Sequence, residues 1–404
     1  FPVQQAQQHV EHTIHRFRTP YLLILIFNIM ILIKAQRDAL LKPLQTVTGI
    51  VERRHTLPIL SNVLISKNLQ TVSFCSTDIE MQIRTSSEMA SGDEPLSTTV
   101  AARKLLDILR ALPEQPEITV SYTNKKLSLA QGKAKFSLQT LPAEDFPTVV
   151  SADQYPASIT LPQRTLKQLL HLVHFAMAQQ DIRYYLNGLL LVIDQSSLKA
   201  VATDGHRLAY SAVTQDNKEV EIKINGERQE VIIPRKAIIE CQRLLDDSDS
   251  LVTIELASNQ ARFRFGQVEL LSKLIEGKFP DYQRVIPAQH QKIVPISREL
   301  FLGALQRAAI LTTDKFKGVR LTLSAGSLKI SSTNAEQEEA SDDIEVAYQG
   351  ESVDIGFNVQ YLIDVLSNLK ADIIHIALQD PNASALITSE SDPEFKYVVM
   401  PMRI

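Results

Sequence analysis

At 404 residues, with 44% apolar and 22% charged side chains, the chain has room for two to four ordinary domains, and this balance excludes disorder and fibrous repeats. Its two cysteines, Cys75 and Cys241, lack metal-ligand spacing, which argues against a zinc module and points to a reducing, cytoplasmic compartment. A formal net charge of −4 excludes a protein that coats nucleic acid over its whole surface, but it leaves room for a basic stripe on an acidic body.

Residues 1–29 stand apart. A Gln/His-rich start leads into an apolar run from Tyr21 to Ile33, which is too short to span a bilayer as a helix. His15, Arg16 and Arg18 precede the run as in a signal peptide, yet no small-residue cleavage site follows it. The expectation is an upstream extension outside the fold, with Met30 to Lys34 as the first strand.

A helical pattern over 36–51 comes next, with Leu40, Leu41, Leu44 and Val47 at three-and-four spacing. Strands at 62–66 and 72–77 then alternate with period two around a polar turn, as a hairpin does, and end in Thr77-Asp78. A second helical pattern covers 101–112, and a strand from Phe136 closes on Pro142. The same order returns with a helix at 162–177, a hairpin from Gly188 to Thr203-Asp204, a helix at 234–245 and a closing strand at 270–275. It returns again with a helix at 297–311, a hairpin from Gly318 to Thr333-Asn334, a helix at 358–369 and a closing strand from Tyr397 to Pro401. Thr77, Thr203 and Thr333 lie 126 and 130 residues apart, a domain-sized period. Polar linkers at 153–156 and 289–292 set the expected domains at 30–155, 156–292 and 293–404.

Lys and Arg gather on the helical patterns: Arg37 and Lys42; Arg103, Lys104 and Arg110; Arg164 and Lys167; Arg235, Lys236 and Arg243; Arg298 and Arg307; and Lys370. Each helix alone reads as a solvated face. Six sharing the habit, with acidic runs at 91–94, 246–249 and 336–343 kept to loops and strands, read as a surface for the phosphate backbone that does not read bases. A rival reading takes Asp204 and His206 as metal ligands or a catalytic pair. The repeat offers them no helpers, because the equivalent positions are Asp78-Ile79-Glu80 and Asn334-Ala335-Glu336.

Six stretches, Asp181 to Gly188, Ala202 to Ala209, Gly277 to Tyr282, Lys315 to Arg320, Gly356 to Asn358 and Tyr397 to Arg403, together resemble the bacterial DNA sliding clamp, the beta subunit of DNA polymerase III. The resemblance runs from Met30 to Ile404. It implies an α+β fold of three DNA-clamp domains, each with two inner helices and outer antiparallel sheets, and a head-to-tail homodimeric ring around double-stranded DNA. It implies no catalysis, no cofactor and no membrane. The expected partners are the DNA polymerase III catalytic subunit, the clamp loader, and other polymerases and repair proteins. A clamp paralogue that serves partners outside replication would look the same in sequence.

The resemblance also carries sites. A pocket for partner peptides maps to Leu186, Thr203, Gly205, His206, Arg207 and Leu208, then to Pro280, Arg284 and Val285, and finally to Asn358, Tyr361, Ser384, Val398, Met400, Pro401 and Met402. An apolar groove with a few polar groups suits a peptide's hydrophobic anchors, and Met suits many partners because it repacks easily. Read alone, Met400 and Met402 are ordinary core filling. Arg54, Gln180, Tyr184 and Tyr185 match positions that touch the duplex, although a tyrosine pair also suits sheet packing. At the dimer contact Phe136 and Leu138 would face Ile310 and Leu311 of the other chain, and Lys133 and Lys135 would face Glu336, Glu338 and Glu339.

Overall fold

A computed structural model describes residues 30–52, 57–89, 94–215, 219–313 and 317–404. The expected extension, 1–29, lies outside the described residues. The chain divides into two compact units, the first ending at Val149 and the second running from Val150 to Ile404.

One order of elements occurs three times: strand, helix, four strands, helix, three strands, with one extra strand, Glu221–Ile224, in the middle copy. The paired helices are α1 (Arg37–Val47), α2 (Ala102–Ala111), α3 (Gln163–His171), α4 (Arg235–Leu244), α5 (Arg298–Ala309) and α6 (Val359–Asn368), and a further single-turn helix, Tyr282–Val285, follows the middle copy. Each copy pairs its helices, α1 with α2, α3 with α4 and α5 with α6. Apolar faces such as Leu40, Leu44 and Val47 of α1, or Val359, Leu362, Val365 and Leu366 of α6, turn inward and are buried.

Two expected helices end early. The apolar spacing over 36–51 and 162–177 continues past the helix ends into single tight turns, Thr48–Ile50 and His174–Ala176. At Val173 φ falls to −126°, yet Val173, Ala176 and Met177 remain buried. Tertiary burial, which periodicity alone cannot separate from helix, keeps the pattern going.

The strand pairings within each copy are antiparallel among the described residues, and their register repeats. The first strand of each copy pairs with the first strand after its second helix: Met30–Ala35 with Ile118–Thr123, Ala157–Pro162 with Leu251–Leu256, and Lys292–Ser297 with Ile373–Leu378. In the second unit, the strands Arg228–Pro234, Gly188–Asp194, Ser197–Thr203 and Arg207–Thr214 continue into Lys396–Val399, Ala385–Ser389, Ile373–Leu378 and Lys292–Ser297 as one eight-stranded sheet. The seam between the two copies is four residue pairs long, from Arg207 opposite Val399 to Tyr210 opposite Lys396.

Candidate functional site

The segment before this seam is a tight turn, and its chemistry is structural. Thr203 Oγ1 donates to Arg207 O at 2.6 Å and accepts from Gly205 N at 3.1 Å, while Asp204 Oδ1 accepts from the amides of His206 and Arg207. Thr77 and Asp78 make the same four bonds to Met81, Ile79 and Glu80 in the first copy. A short side chain that satisfies backbone donors in this way favours turns over helix or sheet. Asp204 is thus occupied as a turn former, and the described residues hold no group of three or more potential metal ligands.

Beside the turn lies an apolar cluster of Leu190, Val192, Val201, Leu208, Ile232, Phe279, Tyr282 and Val398, with Tyr185, Val285, Ile286 and Leu386 packed against it. Leu208 and Val398 are cross-strand partners, so the seam itself brings these two expected pocket residues together. The chain then leaves the sheet as a tail, with Met400 N donating to His206 O at 2.9 Å and Met402 N to Gly356 O at 2.8 Å. Met400 and Met402 stay 39% and 37% exposed, which makes them surface rather than core. Ile404 lies over Gly318 and Gly356, where a Cβ on Gly356 would sit 2.2 Å from Ile404 Cγ1. Only a glycine lets the tail approach so closely.

Arg207 ties the two copies together. It reaches Asp204 at 3.2 Å, Asp364 at 2.5 Å and Phe175 O at 2.8 Å, and it stacks on the Tyr361 ring at 4.5 Å. Burial opposes its charge, but Tyr397 and the Asp364 carboxylate more than compensate and hold its pKa above the usual value. Burial likewise pushes Tyr210 up to about 12, with Tyr282 stacked on it at 5.9 Å.

The other expected pocket residues spread around this centre. Leu186 and Thr203 are buried, Gly205, His206, Pro280 and Arg284 are exposed, and Arg284 pairs with Asp281 at 3.0 Å. Asn358 caps α6 through Gln360 N, Ser384 O bonds His290 at 2.6 Å, and Pro401 lies half-buried in the tail. The sequence reading had not singled out Phe175, Phe279 and Asp364. Phe279 was within reach, because it stands inside the quoted Gly277 to Tyr282 stretch.

Among the residues expected to touch DNA, Tyr184 is 58% exposed while Tyr185 packs on the cluster. Gln180 is exposed at φ 56°, in a loop closed by paired bonds between Asp181 and Asn187. Hydrogen bonds from Arg183 lower Asp181 to about 2. Arg54 lies outside the described residues.

The residues expected at the dimer contact fall on separate exposed surfaces. In the first unit, residues 134–139 pair on one side with 126–131, and only Thr140 and Leu141 also adjoin a second strand, at Val100 and Thr99. Along this strand Phe136 and Leu138 are half-buried, Lys135 is exposed just ahead of them, and Lys133 is exposed just before the strand. In the second unit, Glu339–Glu345 is an edge strand, preceded by the exposed Glu336 and Glu338. Ile310 is 77% exposed at the end of α5, and Leu311 is half-buried.

Three known domain families match in series: the N-terminal domain of the DNA polymerase III beta subunit over residues 31–150, the central domain over 160–281 and the C-terminal domain over 283–403. The chain is 45% identical to the beta sliding clamp of Pseudomonas putida over 371 residues, 91% of this chain and 99% of that protein. It is 42% identical to the beta sliding clamp of Escherichia coli K12 over the same shares. A crystal structure of the sliding clamp of Pseudomonas aeruginosa bound to griselimycin aligns with a TM-score of 0.88 at 43% identity, covering 93% of this chain and all of that one.

Proposed function

Because the chain belongs to the DNA polymerase III beta-subunit family, we propose that it closes with a second copy into a ring around duplex DNA and tethers replication and repair proteins there. It is a sliding clamp and is not catalytic. The observation that carries the tethering is the seam, where the buried apolar cluster around Leu208 and Val398 stands next to two half-exposed methionines held by backbone bonds, an adaptable surface that suits a groove for peptide anchors. The proposed occupants are short peptides of the polymerase catalytic subunit, the clamp loader, and other polymerases and repair proteins. Gln180, Tyr184, Tyr185 and Arg54 are the proposed duplex contacts, the domains are taken as 30–155, 156–292 and 293–404, and the proposed location is the cytoplasm, at the nucleoid during replication.

Two open stretches of strand support the head-to-tail ring: residues 134–139, which pair on one side only, and the edge strand Glu339–Glu345. Exposed edges invite pairing with another chain. Lys133 and Lys135 stand just before and on the first, and Glu336, Glu338 and Glu339 lead into and begin the second, so a contact between unlike ends is complementary and one between like ends is repulsive. A heterologous contact that closes by rotation gives a ring. The test is topological. Protein loaded on nicked circular DNA should leave when the circle is linearised, and retention at moderate salt would refute enclosure.

A further inference from the structure

His171 ends α3 and His174 begins the tight turn after it. Their rings stack with centroids 5.8 Å apart, and His174 Nδ1 lies 3.1 Å from His171 O. Both open onto a hollow of about 540 Å³ whose other charged lining is Arg164, Lys167, Arg243 and Lys370 with one carboxylate, Asp247. Arg164 also pairs with Glu219 and Asp249 and Arg243 with Glu240, which leaves Lys167 and Lys370 as the lining cations outside these ion pairs. A concave wall with that charge balance takes an anion of phosphate size. Its four cations belong to the helix Lys and Arg already read as a surface for the phosphate backbone, and the two histidines add a titratable pair to it.

We propose that His171 and His174 form a proton-linked seat for a backbone phosphate of duplex DNA. The proposal rests on the reading that this protein encloses DNA. Burial disfavours the charged form of both imidazoles and lowers the pKa of each. The Lys370 charge adds to this at His171, while at His174 backbone hydrogen bonds to His171 and Leu170 oppose it and the charges of His171 and Arg235 add to it. A phosphate that enters the hollow offsets these cations and makes protonation favourable, so binding takes up protons. Each proton taken up strengthens binding by up to about tenfold per pH unit as the pH falls. Each added phosphate contact steepens the salt dependence by up to about 0.9 in log–log slope.

Fluorescence anisotropy of the full chain with a labelled short duplex, at fixed ionic strength from about pH 8 to about pH 6, tests this. The wild type should tighten on acidification, and the double variant His171→Gln, His174→Gln should lose that dependence. Imidazole NMR titrations of the wild type should show both pKa values rising when duplex is added, a readout that needs no variant to fold. Equal pH slopes in the two proteins, or imidazole pKa values unmoved by duplex, would overturn the seat while leaving DNA enclosure standing. Absence of duplex binding at every pH in both proteins would overturn enclosure and the seat with it.

Discussion

Replacing Gly356 by Ala acts on the proposed peptide site through the C-terminal tail that carries Met400 and Met402. The added carbon would lie 2.2 and 2.4 Å from Ile404 Cγ1 and Cδ1 and 2.5 Å from Met402 O, where ordinary contact is 3.4–4 Å. The tail must therefore retreat by about 1 Å or more, which breaks the bond from Met402 N to Gly356 O, worth about 0.5–1.5 kcal/mol. Ile404 is already 55% exposed, so its lost packing is about half of a fully buried side chain, roughly 1 kcal/mol. Together these weaken tail docking by about 2 kcal/mol, or roughly 30-fold. A peptide that needs Met400 and Met402 in place then binds only the docked fraction, so its affinity falls by up to that factor. Fluorescence polarisation with a labelled clamp-binding peptide measures the loss. Adding Ile404→Ala should restore part of it, because two of the three overlaps disappear while the Met402 carbonyl stays. Unchanged peptide affinity in Gly356→Ala would show that the tail does not build the groove.

Arg207→Ala should lower stability to urea by about 3 kcal/mol, because it leaves the partly buried Asp204 and Asp364 unpaired. Arg207→Lys should fail to rescue, since an ammonium cannot bridge three acceptors and lie flat on Tyr361. Reversing Glu336, Glu338 and Glu339 to Lys should shift sedimentation towards the single chain, and reversing Lys133 and Lys135 to Glu in the same protein should restore the dimer. Thermal melts should fall as pH drops below about 6.5. The folded pKa values of His171 and His174 lie below that unfolded value, so the unfolded chain takes up protons first, and the stability present above 6.5 is lost towards the folded values. His171→Gln with His174→Gln should flatten this decline, and an unchanged decline would refute the assignment.

The sequence shows most clearly what is local and repeated. The six helices and three hairpins were legible because apolar spacing is a periodic signal, and Thr77 and Thr203 mark the same turn because a hydroxyl and a carboxylate side by side satisfy the same amides. Long-range pairings leave no such mark. The bond from Arg207 to Asp364 spans 157 positions, and the contact of Ile404 with Gly356 depends on the absence of a side chain. The eight-stranded sheet was hidden because either edge of Arg207–Thr214 satisfies the same alternation. The third turn departs from its siblings: Asn334 bonds Glu338 twice, through Nδ2 at 2.6 Å and Oδ1 at 2.9 Å.

The seam between Arg207–Thr214 and Lys396–Val399 also bears on mechanics. A partner held in the groove and hauled along DNA transmits force to the two copies that share the sheet. Where that force runs along the strands, the cross-strand hydrogen bonds resist together, as stitches do when cloth is drawn lengthwise, instead of parting one at a time. The Arg207 guanidinium acts as a rivet beside them, fixed to both copies through Asp204 and Asp364.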